Sequence, residues 1–119
     1  MAIEVLIIGD VATATKRLNE LRLRGFPAWL ATTESELTWL LDKAAAKPSH
    51  AVVDLSTGSE ERAWVLSSRV AVATLAQLPT VLVGAQADEA RHFSRVIATF
   101  AAAPDTDELL AALRAAPER

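Results

Sequence analysis

His50-Ala-Val-Val-Asp54 is the stretch that decides the fold. It is a short apolar run with a lone carboxylate at its carboxyl end. A loop, Leu55-Ser-Thr-Gly58, and then a helical pattern follow it. Val5-Leu-Ile-Ile-Gly9 is followed in the same way by Asp10. Short apolar runs rich in β-branched residues suit strands covered on both faces. In an open α/β sheet the carboxyl ends of the strands form the crevice where ligands bind. An unpaired carboxylate in a dry core is very costly, so two acids at two strand ends mark a small acidic pocket.

Outward from these two runs, strands and helices alternate. Residues 3–9 form the first strand, and residues 11–24 carry Val11, Ala14, Leu18 and Leu21 on one helical stripe, with Lys16, Arg17, Glu20 and Arg24 elsewhere. Gly25 ends that helix. Phe26–Ala31 reads as a second strand, which Pro27 places at a sheet edge. Thr33-Glu-Ser-Glu36 is a capping box ahead of the Leu37, Leu40, Leu41, Ala44 stripe, and Pro48 closes the helix. After the third strand a long Ala- and Val-rich helix runs from Ser59 to about Gln77. Pro79–Val83 is the fourth strand, stopped by Gly84. Residues 87–98 place Ala90, Phe93, Val96 and Ile97 at helical spacing, and Thr99–Ala103 reads as a fifth strand. Asp105-Thr-Asp-Glu108 is a second capping box, and the last helix buries Leu109, Leu110 and Leu113. Five βα units with right-handed crossovers give an α/β domain: a five-stranded parallel sheet with helices on both faces, in the flavodoxin-like order 2-1-3-4-5.

The 119 residues make one domain, 1–119, long enough for a core without staples. Hydrophobic residues are 51% and charged residues 23%, a composition that excludes disorder. A net charge of −3, with scattered basic residues, argues against direct nucleic-acid binding. There is no cysteine, so thiol chemistry and Cys-based zinc sites are excluded. The two histidines, His50 and His92, lie on different elements, so a His-rich metal site is not available. The start lacks a basic leader and no 18-residue apolar run exists. The expectation is a cytoplasmic protein with no membrane contact, either whole or one domain of a longer chain.

The order of features resembles the receiver domain of two-component response regulators, the CheY-like family, over essentially the whole chain. The resemblance rests on Asp10 after strand one, Asp54 44 residues later after strand three, and Gly84-Ala85 at the strand-four end 30 residues beyond. Its last anchor is Phe100-Ala-Ala-Ala-Pro104, which matches the family's aromatic-x-x-Lys-Pro segment. It implies that Asp54 stands where the family accepts a phosphoryl group from a histidine kinase. Phosphoryl transfer to a carboxylate needs a divalent cation, and the family holds it with an acidic pair after strand one. Here Asp10 is present but its neighbour is Gly9, so Mg²⁺ on Asp10 and Asp54 is expected to bind weakly at best, and no other cofactor is implied. The family's strand-four hydroxyl is replaced by Gly84, and its strand-five lysine by Ala103. Phe100 matches the switch aromatic but has no hydroxyl to follow. Two acids without a fixed countercharge repel each other and a phosphate alike, and a switch needs a ligand that distinguishes two states.

These departures imply a degenerate receiver, a non-catalytic module of two-component signalling that acts by protein contact. The alternative is an atypical phosphoacceptor modified at Asp54. A small-ligand α/β binder or enzyme is the third reading, against which stands the lack of a phosphate-cradling glycine loop or a nucleophile–base pair. Asp54 also reads as a strand-end acid capping the loop amides near Ser56 and Thr57, and Asp10 as a helix N-cap. His50 reads as a surface or edge histidine. Expected partners are another protein, a second copy of the chain or a fused output domain. Arg91 and Arg95 on one helix face, with Asp105, Asp107 and Glu108 at the start of the last helix, form a candidate dimer surface. Trp39 and the apolar third helix are further candidates for partner contact.

Overall fold

A computed structural model describes residues 3–44, 46–56 and 59–115, with 59–62 and 87 described by backbone alone. The elements run β1 (Val5–Ile8), α1 (Val11–Leu23), β2 (Ala28–Ala31), α2 (Glu34–Asp42), β3 (His50–Asp54), α3 (Ser59–Ser67), α4 (Arg69–Leu75), β4 (Thr80–Val83), α5 (Ala87–Ala90), β5 (Val96–Phe100) and α6 (Thr106–Arg114). All strand pairings are parallel, and the sheet order is β2-β1-β3-β4-β5. This is the expected flavodoxin-like architecture.

The period-two alternation of each strand divides the core in two. Leu6, Ile8, Ala51, Val53 and Leu82 face a layer built from Leu37 and Leu40 of α2, Val65 of α3, Ala71 and Leu75 of α4, and Phe93. Val5, Ile7, Val52, Val81 and Val83 face Ala14 and Leu21 of α1 and Leu109, Leu110 and Leu113 of α6. Burying a Leu, Ile or Val side chain contributes about 1.5–3 kcal/mol each, so both layers matter to stability. β1, β3 and β4 are buried along their whole length, which is why they read as unbroken apolar runs.

Several boundaries differ from the sequence reading. The helix expected over 59–77 is two helices. Ser68 has ψ 124°, outside the helical range, and its hydroxyl accepts the Ala71 amide at 3.1 Å as the N-cap of α4. Just before the break, the Ser67 hydroxyl donates back to the Ala63 carbonyl at 2.7 Å, a local bond of the kind that bends helices. The helix expected over 87–98 stops at Ala90, and the fifth strand starts at Val96 instead of Thr99. Val96 pairs with Thr80, and Ala98 with Val81, so one extra residue is accommodated there as a bulge. Val96 packs into one core layer and Ile97 into the other, which a shared helical face would forbid. Arg91 and Arg95 therefore do not share a helix. Arg91 is the C-cap of α5, while the Arg95 carbonyl, just before β5, accepts the Thr80 amide at 2.8 Å.

On α1 the buried stripe is Ala14, Arg17 and Leu21, not the stripe through Val11, which is 64% exposed. Leu18 is only partly buried. α2 ends at Asp42, so Ala44 lies beyond it and is exposed, and Ala46 is buried in its place. Trp39 is exposed, while Trp29 and Trp64 pack against the core. Of α4, Ala71 and Leu75 face inward and Val72 stays exposed. His50 is buried at the start of a central strand, correcting its reading as a surface residue. Among the described residues no helix is long and apolar enough to cross a membrane.

Candidate crevice at the strand ends

Asp54 is the last residue of β3, level with Val83 of β4, and it is 1% exposed. A carboxylate at that depth must be satisfied from within. Its Oδ1 accepts the Ser56 amide at 2.9 Å and also the Ser56 hydroxyl. Its Oδ2 accepts Nη1 of Arg17 at 3.2 Å. Thr57, near the other loop amide that Asp54 is expected to cap, lies outside the described residues.

Arg17 corrects the expectation of an acidic pocket without a countercharge. It sits on the inward stripe of α1, between Ala14 and Leu21, and its side chain is almost as buried as its partner. The sequence signal was the spacing 14, 17, 21, which is a helical face as regular as the one through Leu18. An arginine on such a face points into the sheet layer, where a strand-end acid waits for it. A guanidinium cannot be deprotonated in a protein and suits a buried pair with a carboxylate. Removing one partner of such a pair costs about 3–5 kcal/mol, because the other charge is left buried and alone.

The two glycines of the pocket are explained by close approach. A Cβ on Gly9 would stand 3.2 Å from the Asp54 Cβ and 3.4 Å from that of Ala14, so this position packs directly against Asp54. Gly84 has φ +71°, and a Cβ there would lie 2.6 Å from the Ser56 Cβ and 2.7 Å from its Cα. The space that a hydroxyl side chain at position 84 would need is filled by Ser56. A hydroxyl does reach Asp54, but from the loop after β3 instead of the end of β4.

Asp10 is at the N-cap position of α1, as expected, yet its side chain does not cap the helix amides. It accepts the Thr13 hydroxyl instead. Phe100 is the last residue of β5, and its carbonyl accepts the Gly84 amide at 2.8 Å. Because β5 ends there, the first residue beyond the strand is Ala101. Ala103 is not at the strand end. It lies with Pro104 along a groove of about 630 Å³ between α1 and the start of α6, which Lys16 and Arg17 also line.

A divalent cation, which a receiver-type phosphoacceptor requires, does not fit these donors. A hard cation takes six or more oxygens. Oδ2 of Asp54 is turned to Arg17, a fixed positive charge stands beside it, and Gly9 offers no carboxylate. No cluster of three or more His, Cys, Asp or Glu is present among the described residues.

The acids of the candidate dimer surface are engaged within the chain. Asp105 accepts the Glu108 amide at 2.8 Å, and Glu108 accepts the Asp105 amide at 3.4 Å, closing the expected capping box. Asp107 pairs with Arg24 at 2.6 Å on the surface, and that hydrogen bond pushes the Arg24 pKa up. Arg95 donates to the Gln77 carbonyl at 3.2 Å.

His50 shows a different kind of burial. Its pKa is lowered, first because burial disfavours the charged ring and then because of the nearby positive charge of Arg95. A hydrogen bond to the Leu113 backbone opposes the shift without reversing it. Ser49 Oγ lies 2.7 Å from its Nδ1.

No family model matches the sequence, and no curated protein matches it. Solved structures share the fold, two of them as follows. The N-terminal domain of a response regulator/sensory box/GGDEF three-domain protein from Carboxydothermus hydrogenoformans superposes with TM-score 0.61 at 19% identity, over 93% of this chain and 94% of that one. A fusion protein carrying amino acids 181–211 of the yeast Spc42 trimeric coiled coil gives TM-score 0.60 at 18% identity, over 93% of this chain and 78% of that one. At these identities the likeness is one of fold: a five-stranded parallel α/β domain of the kind found in the response-regulator protein.

Proposed function

We propose that this chain is a signalling module of the two-component type, a degenerate receiver that works through protein contact and not through aspartyl phosphate. One observation carries the reading. Asp54, the residue that would accept the phosphoryl group, has Oδ1 held by Ser56 and Oδ2 by Arg17 at 1% exposure. A nucleophilic oxygen in that state would have to leave a buried ion pair before it could attack. The donor set does not suit the cation that would draw a phosphoryl group in.

The fold of the response-regulator neighbour supports the two-component assignment. In that protein the domain is the first of three, which supports the idea of a fused output domain for this chain too. The expected partner is a protein, either attached or free, or a second copy of this chain, and no enzymatic reaction is assigned to the domain.

Incubation with Mg²⁺ and acetyl phosphate, followed by intact-mass and peptide mass spectrometry, tests the reading. The expected result is an unmodified chain. A stoichiometric phosphoryl adduct on Asp54 would overturn it in favour of an atypical phosphoacceptor. That second reading has one observation on its side, since Arg17 already places a positive charge beside Asp54. It requires that Asp54→Asn abolish a phosphate-dependent change in the protein.

A further inference from the structure

The crevice pairs one buried carboxylate with one buried guanidinium, drawn from two different elements. Asp54 comes from the central strand β3 and Arg17 from α1, and the side chains are 1% and 9% exposed. The guanidinium occupies the same electrostatic role that a divalent cation would fill beside a strand-end acid. Unlike a metal ion, it is covalently part of the chain and is present at every cation concentration. Its charge also repels an approaching cation. Even at the dielectric constant of bulk water, about 80, one positive charge about 5 Å from a divalent ion opposes binding by more than a factor of ten.

We propose that Arg17 is a resident countercharge: its guanidinium stands in for the metal ion beside Asp54, ties β3 to α1, and makes the state of the crevice independent of divalent cations. This deepens the reading of a receiver that does not use phosphate, and it rests on that reading. Arg17 is a positioning residue here. It holds the Asp54 carboxylate against Ser56 and so fixes the turn that fills the space beside Gly84.

The charge role separates from a packing role by double substitution. Arg17→Gln keeps an unbranched polar side chain, shorter than arginine, and leaves Asp54 without a cation. Arg17→Gln/Asp54→Asn removes both charges together. If Arg17 serves the charge of Asp54, the single substitution is the damaging one and the double variant recovers most of the lost melting temperature. If Arg17 mainly fills space, the double variant melts at or below the single one, and the proposal is overturned.

Divalent cations supply the second readout. Melting curves of the wild type and of Arg17→Gln are compared between zero and 10-fold-stepped Mg²⁺. Mn²⁺ broadening of the Ser56 amide signal reports proximity to Asp54. The wild type is expected to show no Mg²⁺-dependent shift and no broadening of Ser56. Arg17→Gln is expected to gain both, with apparent cation affinity raised by about tenfold or more. Should Arg17→Gln be unfolded without metal, Mg²⁺-driven folding counts as the same gain.

Broadening of Ser56 in the wild type would overturn the proposal, as would a folded Arg17→Gln protein blind to Mg²⁺. An Arg17→Gln protein unfolded at every Mg²⁺ concentration leaves the decision to the double variant, in the terms already stated. None of these measurements uses a phosphoryl donor. A failure here therefore leaves the acetyl phosphate test untouched, and a phosphorylated Asp54 is read separately.

Discussion

Gly84→Ala should damage the protein far more than Gly25→Ala, and the difference isolates the crowding of the crevice. Both glycines have positive φ, +71° at Gly84 and +87° at Gly25. A left-handed conformation costs a side-chain-bearing residue about 1 kcal/mol relative to glycine. At Gly25 nothing lies within 4 Å of the added carbon, so that conformational cost is the whole effect. At Gly84 the carbon would also fall 2.6 Å from the Ser56 Cβ, 2.7 Å from its Cα and 2.8 Å from its backbone nitrogen. No rotamer change relieves an overlap with backbone. The β3–α3 turn must shift, and Ser56 then loses its two hydrogen bonds to a buried carboxylate. Adding overlap and lost hydrogen bonds gives about 3 kcal/mol or more. For a chain of this length, 1 kcal/mol corresponds to about 4 °C in melting temperature. The expected losses are therefore about 4 °C for Gly25→Ala and about 12 °C for Gly84→Ala. Thermal melts by circular dichroism, with urea titration as a second measure, read both. Equal losses at the two positions would refute the argument that Ser56 occupies the space beside Gly84.

Further perturbations probe neighbouring features. Gly9→Ala should cost about 1 kcal/mol, since its contacts at 3.2 and 3.4 Å require only a small adjustment, whereas Gly9→Asp should cost several kcal/mol by burying a second carboxylate against Asp54; urea midpoints compare the two. Ser68→Ala removes the cap that starts α4 and should lower stability by about 1 kcal/mol, read by the same titration. His50 contributes a pH dependence. With its folded pKa lowered below the ordinary 6.5, the unfolded chain takes up the proton first, so stability is full above pH 6.5 and declines as pH falls through that value toward the folded pKa. The urea midpoint should therefore drop between pH 7.5 and 5 in the wild type and drop less in His50→Gln; an identical drop in both would assign the effect to other groups.

The fold was legible because β1, β3 and β4 are buried on both faces, and such strands leave uninterrupted apolar runs in the sequence. The last third was less legible. Val96 and Ile97 fit a helical stripe as well as a strand, and it is pairing with Thr80 and Val81 across the sheet that decides for β5. The alanines at 101–103 carried too little side-chain signal to place a boundary, and the strand proved to end at Phe100. In α3 and α4 the apolar composition hid a break made by one serine hydroxyl. In the crevice, the positions of Asp10, Asp54, Gly84 and Phe100 followed from the strand ends. What sequence alone did not reveal was the inward face of Arg17, because a charged residue on an amphipathic helix is ordinarily assigned to solvent.

The differences between this crevice and the receiver pattern are linked to one another. Gly84 lacks a hydroxyl, but the hydroxyl of Ser56 fills that space and reaches Asp54. The lysine expected near the strand-five end is absent, but Arg17 brings a cation from α1. Gly9 offers no acid, and its bare Cα packs closely against Asp54 and Ala14, where a carboxylate would have no room. Each change supports the others, so the crevice is a closed set of interactions and not a broken one. Introducing a single residue of the receiver pattern should then make the protein less stable. A hydroxyl at 84 meets Ser56, and an acid at 9 meets Asp54. A lysine at 103 would stand beyond the end of β5, along the groove between α1 and α6, and not at the strand end. A phosphate switch needs two states that its ligand distinguishes, and a pocket in which each of these substitutions meets a neighbour supports the proposed contact module instead.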